Sequence, residues 1–265
     1  MSQSRPLPPV VRLRVDGPCG TIVIGRPGQR NALNPDALQL LQQAFDDLHQ
    51  QKSVRAVVLT GDGDCFCAGT DLREIQSAHR EESPHLAWFT DVSQLRELLT
   101  TMIRFPKPIV AAVNGTALGS GLALVAACDM CLASPNATFG LPESRRGLSA
   151  GPTIPLLAFR LGASVTAHLA LRGLDLNAND ALRIGLIQEV VPFELLWARA
   201  RQWVDDIVRS SPAAAAMNKR ILNETVGETL ITQLSAAMAS MAAARTTEDA
   251  IEGVAAFLDK RAPKW

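Results

Sequence analysis

The sequence has no excess of charge of either sign and no long apolar run. Its 265 residues contain 26 Lys+Arg and 26 Asp+Glu, so the formal net charge is zero. A balanced charge gives no general attraction for nucleic acid or an anionic membrane, so we expect neither as a partner. The best candidate for a membrane span, 108–133, is interrupted by Asp129 and small polar residues. Residues 1–10 lack the apolar core of a signal peptide, so we expect a disordered start and a cytoplasmic protein.

Cysteine is scarce and odd in number. The five residues are Cys19, Cys65, Cys67, Cys128 and Cys131. An odd count in a long chain argues against a secreted disulfide scaffold. The last four could form a four-thiolate zinc site, but bare spacing is a weak motif. Because Cys128 and Cys131 stand in the apolar run LVAACDMCLA, we expect them to pack as small hydrophobes and predict no metal site.

The common nucleotide-binding signatures are also absent. The glycine-rich stretch 114–121 follows an apolar strand, but its spacing is not Gly-x-Gly-x-x-Gly and no acidic residue ends the next strand. The chain has no Gly-Lys-Ser/Thr phosphate loop either. A nucleotide-binding fold is therefore a weak alternative.

The chain does contain apolar strands that alternate with helices. The strand pattern is found at 10–15, 21–25, 55–61, 108–115 and 129–134. Helical periodicity is found at 35–51, 71–80, 85–104 and 119–127. This alternation predicts an α/β fold with parallel strands joined by right-handed crossovers. Four Ala-rich segments then predict helices alone: 193–210, 212–226, 228–245 and 247–260. We therefore predict an α/β core over 1–195 and a helical region over 196–265.

Two strand-to-helix turns carry the first chemical signal. One runs from Cys67 to Leu72, and the other from Asn114 to Gly121. Small residues at such turns let a ligand approach the main chain closely, and the N–H groups at a helix start favour negative charge. Two such turns on successive strands can converge on one oxygen and form an oxyanion hole.

A third segment, 137–151, predicts a short strand and a turn that holds Glu143. Its neighbours in the sequence are apolar: Phe139, Leu141, Pro142 and Leu148. A carboxyl group held among such residues has a raised pKa, which suits proton transfer near neutral pH. The alternative is a surface glutamate paired with Arg145 or Arg146, which is the commoner situation.

Taken together, these segments resemble the crotonase superfamily, the enoyl-CoA hydratase/isomerase family. The matching segments are RPGQRNAL (26–33), FCAGTDLREI (66–75), KPIVAAVNGTALGSGLALVAACD (107–129), ATFGLPESRRGL (137–148), LRIGLIQEVVP (182–192) and EGVAAFLDKR (252–261). The resemblance covers nearly the whole chain. It implies a core of repeated ββα units, a C-terminal helical region used for trimerisation, and a homotrimer or dimer of trimers. It also implies an acyl-CoA thioester as substrate, with no further cofactor.

The resemblance also implies roles for individual residues. It makes Glu143 the acid/base, and it makes the N–H groups of Ala68 and Ser120 the oxyanion donors. Ser120 stands where the family has glycine. Arg30 and Lys260 are expected near the CoA phosphates, and Phe257 near the adenine. The full set expected to contact the CoA thioester is Arg30, Asn31, Ala32, Gly69, Thr70, Asp71, Leu72, Gly119, Phe257 and Lys260.

The departures from the family pattern bear on the reaction. Family hydratases hold a water between two glutamates, and the first of these falls at Ala123, whose methyl group cannot orient water. The family's isomerases use one glutamate, at the position of Glu143. We therefore favour double-bond isomerisation, with atypical hydration or an inactive CoA-thioester-binding protein as alternatives. Gly151 replaces the aspartate of the hydrolase and dehalogenase branches, which therefore do not fit. His79 and His85 are weak candidates for an acid near the acyl group.

Overall fold

Two β-sheets lie at the centre of the protein. The computed structural model describes residues 9–78, 84–223 and 229–265, with main chain only for 84–87. The strands in this part are β1 (Val11–Asp16), β2 (Cys19–Ile24), β3 (Ala56–Gly61), β4 (Cys65–Cys67), β5 (Ile109–Val113), β6 (Thr116–Leu118), β7 (Met130–Ala133), β8 (Thr138–Gly140), β9 (Asp175–Asn177) and β10 (Glu189–Val190). The five strands expected from the sequence are all present, as β1, β2, β3, β5 and β7.

The larger sheet has the order β1-β2-β3-β5-β7-β10. Only the first pair is antiparallel, because β1 and β2 form a hairpin; the other neighbours run parallel. The prediction of parallel pairing is thus confirmed. The central strands β3 and β5 are buried almost throughout, which explains why they read as continuous apolar runs rather than as alternating ones.

The smaller sheet has the order β4-β6-β8-β9. Each of its first three strands follows a strand of the larger sheet, so that β3 leads to β4, β5 to β6, and β7 to β8. This repeat is the ββα arrangement that the resemblance implied. Each strand of the smaller sheet has only three residues, which is too short for a hydrophobic alternation. Among them, only β8 was expected, as the short strand at the start of 137–151.

Helices surround the sheets. They are α1 (Pro35–Gln50), α2 (Leu72–Ala78), α3 (Pro84–Arg104), α4 (Ser120–Ala127), α5 (Thr153–Leu161), α6 (Ala163–Arg172), α7 (Ala178–Arg183), α8 (Leu196–Val208), α9 (Pro212–Ile221), α10 (Leu230–Ala244) and α11 (Glu248–Leu258). The Asn34 side chain caps α1 by accepting from Ala37 N at 3.0 Å, with Pro35 in the first helical position. None of the described helices is long and apolar enough to cross a membrane.

The C-terminal helices agree with the sequence. Helices α8 to α11 occupy the four predicted segments, although 224–226 and 228 lie outside the described residues. Helices α5, α6 and α7 were not predicted; in α5, Pro152 and Pro155 obscure the periodicity. The boundary predicted after residue 195 coincides with the start of α8, and it stays a prediction.

Two buried asparagines fix the loop between β3 and β4. Asn114 accepts from Gly61 N at 3.1 Å and donates to Gly63 O at 2.8 Å. Asn31 is fully buried and donates to Asp62 O at 2.9 Å. Main-chain groups of an irregular loop have no partners in a ladder, so these amides satisfy them in the interior. The loop is thereby held where the first functional turn begins.

Asn114→Ala is expected to lower the free energy of unfolding by about 2–4 kcal/mol, because buried main-chain groups lose their partners. Urea unfolding measures this change. Gln43→Ala, on the exposed face of α1, serves as the control and should stay within about 0.5 kcal/mol of the native protein. Equal stability of the two variants would contradict the assigned role of Asn114.

Candidate active site

The two strand-to-helix turns meet at one point. Gly69 has φ of 93°, and a Cβ added to it would lie 2.8 Å from Leu118 O and 3.4 Å from Ser120 N. The hydroxyls of Thr70 and Ser120 are 2.9 Å apart and share a hydrogen bond. The main chains of the two turns therefore touch, and only glycine permits this approach. Convergence of the turns was expected from their sequences.

One predicted donor is not free. The Ala68 N–H donates to Arg30 O at 3.0 Å, so the assignment of Ala68 as an oxyanion donor is wrong. The sequence could not show this bond, because it joins residues 38 positions apart. The first turn must offer a different N–H.

The Thr70 N–H is the candidate for this role. Leu33 N donates to Gly69 O at 2.8 Å, and Asp71 N donates to Leu33 O at 2.7 Å. This parallel bridge uses the Gly69 carbonyl and the Asp71 N–H, which flank Thr70. The N–H of Thr70 itself therefore points away from Leu33. Ser120 is the first residue of α4, where an N–H has no partner within the helix. Among the described residues, neither the Thr70 nor the Ser120 N–H has an acceptor.

Glu143 lies beside this pair of N–H groups. It belongs to a short 3-10 helix, Pro142–Arg146, that follows β8. A Cβ on Gly119 would collide with Glu143 Oε1, so the carboxylate rests against the residue that precedes Ser120. Gly119 has φ of 53°, which a side chain would also disfavour. The fold thus brings one carboxylate to the start of α4.

The carboxyl group of Glu143 is largely removed from water. Its Oε2 is buried and has no hydrogen-bond partner among the described residues. Burial raises the pKa of this carboxyl group from 4.5 to about 7, because the charged form loses hydration. The alternative of a surface ion pair is wrong: Arg145 donates to Arg172 O at 3.2 Å, and Arg146 stacks on the Phe257 ring at 4.2 Å.

Glu143→Gln is expected to stabilise the protein by about 1–3 kcal/mol at pH 8, since glutamine carries no charge to bury. The native carboxyl group has a pKa of about 7 when folded and near 4.5 when unfolded. The folded state therefore binds more protons between these values, and native stability falls as pH rises through this window. Urea unfolding at pH 5 and pH 8 measures the effect. If the exposed control Glu194→Gln changed the pH dependence equally, the burial argument would fail.

An open groove of about 230 Å³ leads to this point. Most residues predicted to contact a CoA thioester line it: Arg30, Ala32, Thr70, Asp71, Leu72 and Phe257. Ala68 also lines the groove. A second, narrower cavity of about 20 Å³ contains Glu143 and Gly69. The two spaces share Thr70 and Arg146, so they are adjacent.

Three residues predicted to contact the CoA thioester have side chains that are bonded elsewhere or lie away from the groove. The Asn31 side chain is enclosed by the main chain that it bonds, so it cannot reach a ligand. The Asp71 carboxylate pairs with Arg26 at 3.2 Å and accepts from Arg73 N, which anchors the start of α2. Lys260 is exposed beyond α11 and does not line the groove. Asp71 can still offer main chain to a ligand, whereas the Asn31 side chain is structural.

The structure shows the surroundings of Ala123 and Gly151, the two positions that distinguish branches of the family. Ala123 is fully buried in the hydrophobic core, so no polar group replaces the first glutamate there. Gly151 has φ of 48°, and a Cβ on it would lie 2.7 Å from Met241 Sδ. An aspartate at this position would be strained and crowded, so the structure agrees with rejecting the two aspartate-using branches. His79 lies outside the described residues, and the side chain of His85 is not described.

Sequence reasoning missed one charged residue in the narrow cavity, Arg245. It follows α10 and pairs with Asp91, at 2.7 Å between Nη1 and Oδ2. An arginine at the end of an Ala-rich helix usually faces water beside the last carbonyls, so its position alone did not indicate burial. The one hint in the sequence is that the apolar face of α10 continues into position 245.

The described residues contain no group of three His, Cys, Asp or Glu that could hold a metal ion. Cys128 and Cys131 pack in the hydrophobic core, as predicted. Burial raises the pKa of both thiols, which disfavours the thiolate that a metal would need.

Comparison with known proteins agrees with this geometry. The sequence profile of the enoyl-CoA hydratase/isomerase family matches residues 17–265. The chain belongs to this family. A 2,3-dehydroadipyl-CoA hydratase of Escherichia coli is 34% identical over 246 residues, which cover 92% of this chain and 93% of the relative. A short-chain-enoyl-CoA hydratase of Clostridium acetobutylicum is 32% identical over 254 residues, covering 95% of each.

Solved structures of family members have the same fold. The crystal structure of an enoyl-CoA hydratase/isomerase from Mycobacterium paratuberculosis superposes with a TM-score of 0.86 at 27% identity, covering 95% of this chain and 99% of that one. The mixed α/β architecture with its C-terminal helices is therefore the crotonase fold. Membership of the family supports an enzyme that acts on an acyl-CoA thioester.

Proposed function

We propose that this enzyme isomerises the double bond of a 3-enoyl-CoA, with Glu143 moving the proton and two main-chain N–H groups holding the thioester oxygen. The observation that carries the proposal is one buried carboxyl group beside the unpaired N–H groups of Thr70 and Ser120. An acid/base near an oxyanion hole is the arrangement that proton removal next to a carbonyl requires.

The reaction follows from this arrangement. Glu143 removes a proton from C2 of the thioester, and the negative charge moves to the carbonyl oxygen. The Thr70 and Ser120 N–H groups stabilise that oxygen while the double bond shifts. Glu143 then returns the proton at C4. A pKa near 7 lets one carboxyl group both accept and donate the proton at neutral pH.

Ala123 supports isomerisation over hydration. Double-bond migration moves one proton between two carbons of the same molecule, so it needs only one acid/base. Hydration adds a water across the double bond, which the family's hydratases orient with two glutamates. The methyl group of Ala123 is buried and can orient no water.

Hydration is the second candidate, because the two relatives described above are named hydratases. The reaction would then need Glu143 and main-chain groups alone to position the water. A CoA-thioester-binding protein without activity is the third possibility, and it predicts no proton exchange at C2.

The absorbance of the conjugated enoyl thioester distinguishes these candidates. We expect a rise from 3-enoyl-CoA with native protein and at least about a 10³-fold smaller rate with Glu143→Gln, which has no basic oxygen. A fall from trans-2-enoyl-CoA would instead indicate hydration. No change from either substrate, with CoA thioester still bound, would favour the inactive protein. Full activity of Glu143→Gln would contradict every role given to this residue.

Ser120→Pro tests the oxyanion hole directly, because proline removes the N–H yet fits the first position of a helix. We expect kcat/KM to fall about 10²–10³-fold, the usual effect of losing one such donor. Ser120→Ala keeps the N–H and is the matched control, with an expected change of a few-fold at most. Equal loss in both variants would assign the effect to the hydroxyl instead.

Two further expectations from the sequence concern the oligomeric state and the location in the cell. A trimer or dimer of trimers is expected, and light scattering after size exclusion measures it. A cytoplasmic location is expected as well, and cell fractionation measures that.

A further inference from the structure

We propose that Arg245 binds a carboxylate at the far end of the acyl chain, so that the substrate is the mono-CoA thioester of a short dicarboxylic acid. This inference rests on the proposed function, because it assigns the narrow cavity to the acyl group of the thioester. It adds the class of acyl group, which the family does not determine.

Arg245 is almost completely buried, with 1% of its surface exposed. Its Nη1 donates to Asp91 Oδ2 at 2.7 Å. Its Nε and Nη2 are also buried, and they have no hydrogen-bond partner among the described residues. Unpaired donors on a buried charged group are costly and rare, so an acceptor for these two nitrogens is expected.

The free nitrogens lie on the same edge of the guanidinium group. Nε–H and one N–H of Nη2 are parallel, at the spacing of the two oxygens of a carboxylate. Asp91 contacts only Nη1 and therefore leaves this edge open. A carboxylate fills it with two hydrogen bonds, whereas a hydroxyl or a carbonyl oxygen offers only one acceptor atom.

Arg245 belongs to the cavity that also holds Glu143. Arg245 lines the same narrow space as Glu143 and the Gly69–Thr70 turn. Leu148 and Met241 line it too, and they give apolar contact for the methylene groups of a chain. The cavity measures about 20 Å³, which is room for one water, so flexible side chains such as Met241 must move when an acyl group enters.

The charges around this cavity also favour an anion. Arg146 and Arg245 both line it, and Glu143 is the one acidic residue among the described lining residues. Glu143 has a pKa of about 7, so its negative charge is incomplete at neutral pH. Asp91 already pairs with Arg245, so Arg146 carries the remaining positive charge, which an acyl group ending in a carboxylate balances and one ending in a methyl group does not. The competing occupant of the edge is a single water, for which about 20 Å³ is sufficient.

The affinities of saturated thioesters test the proposal without requiring turnover. Adipoyl-CoA and hexanoyl-CoA have six acyl carbons each and differ only in a terminal carboxylate or methyl group. Isothermal titration of the full chain should give at least about a 30-fold lower Kd for adipoyl-CoA, because binding of hexanoyl-CoA leaves the arginine edge unpaired. Glutaryl-CoA and pentanoyl-CoA repeat the comparison with one carbon fewer.

Two variants test whether the preference for a terminal carboxylate depends on the Nε and Nη2 edge of Arg245. Arg245→Lys keeps the charge and the pairing with Asp91 but has no parallel N–H groups, so the preference should fall to a few-fold. Arg245→Met should abolish it. Because methionine leaves Asp91 without its partner, Asp91→Asn/Arg245→Met is measured alongside, with thermal unfolding as the check on folding. Arg209→Met removes an exposed arginine and should keep the full preference.

The outcomes separate this proposal from the one on which it rests. Equal affinity for the two thioesters, or tighter binding of hexanoyl-CoA, would overturn the role of Arg245 and leave the proposed function standing; water then fills the edge. A carboxylate preference that survives in both Arg245→Lys and Arg245→Met would also overturn it. Failure of every thioester to bind would overturn both proposals.

Discussion

The close approach of two main-chain turns is the constraint on which the active site depends. Gly69 contacts the main chain of Leu118 and Ser120 so closely that a side chain there could not be accommodated. This contact brings Thr70 and Ser120 together, with their hydroxyls 2.9 Å apart, and Gly119 leaves room for the Glu143 carboxylate. Donors that are fixed by the fold need no rearrangement during the reaction, which is why they stabilise a developing charge effectively.

The fold explains how this contact arises. Each turn follows a short strand of the smaller sheet and leads into a helix, and these two strands, β4 and β6, pair directly. The buried amide of Asn114 then ties the β3–β4 loop to the strand that precedes the second turn. A long strand, a short strand and a helix therefore form one unit, and two such units side by side bring the two turns together. The cost of the site is a buried carboxyl group whose Oε2 has no hydrogen-bond partner among the described residues, in an environment that resists its charge.

Much of this could be predicted from the sequence, and the remainder has identifiable causes. Apolar runs revealed the five longer strands, and the combination of short motifs revealed the family. The apolar neighbours of Glu143 correctly indicated a raised pKa. Of the four short strands, only β8 was predicted, and the others escaped because three residues carry no periodicity. Ala68 was chosen as a donor because position in a motif does not show that its N–H already bonds Arg30 O. Arg245 escaped because burial of a helix-end arginine depends on tertiary contacts with Asp91.

Enolate formation at C2 is the central claim, and hydrogen exchange measures it apart from any double-bond migration. A saturated acyl-CoA is incubated with the protein in deuterated water, and loss of the C2 proton signal is followed by NMR. The account predicts exchange catalysed by the native protein at a rate that rises with pH around a midpoint near 7, where the Glu143 carboxyl group loses its proton. It predicts no exchange above background with Glu143→Gln. Equal exchange by native protein and variant, or none by either, would contradict the claim that Glu143 forms an enolate in this site.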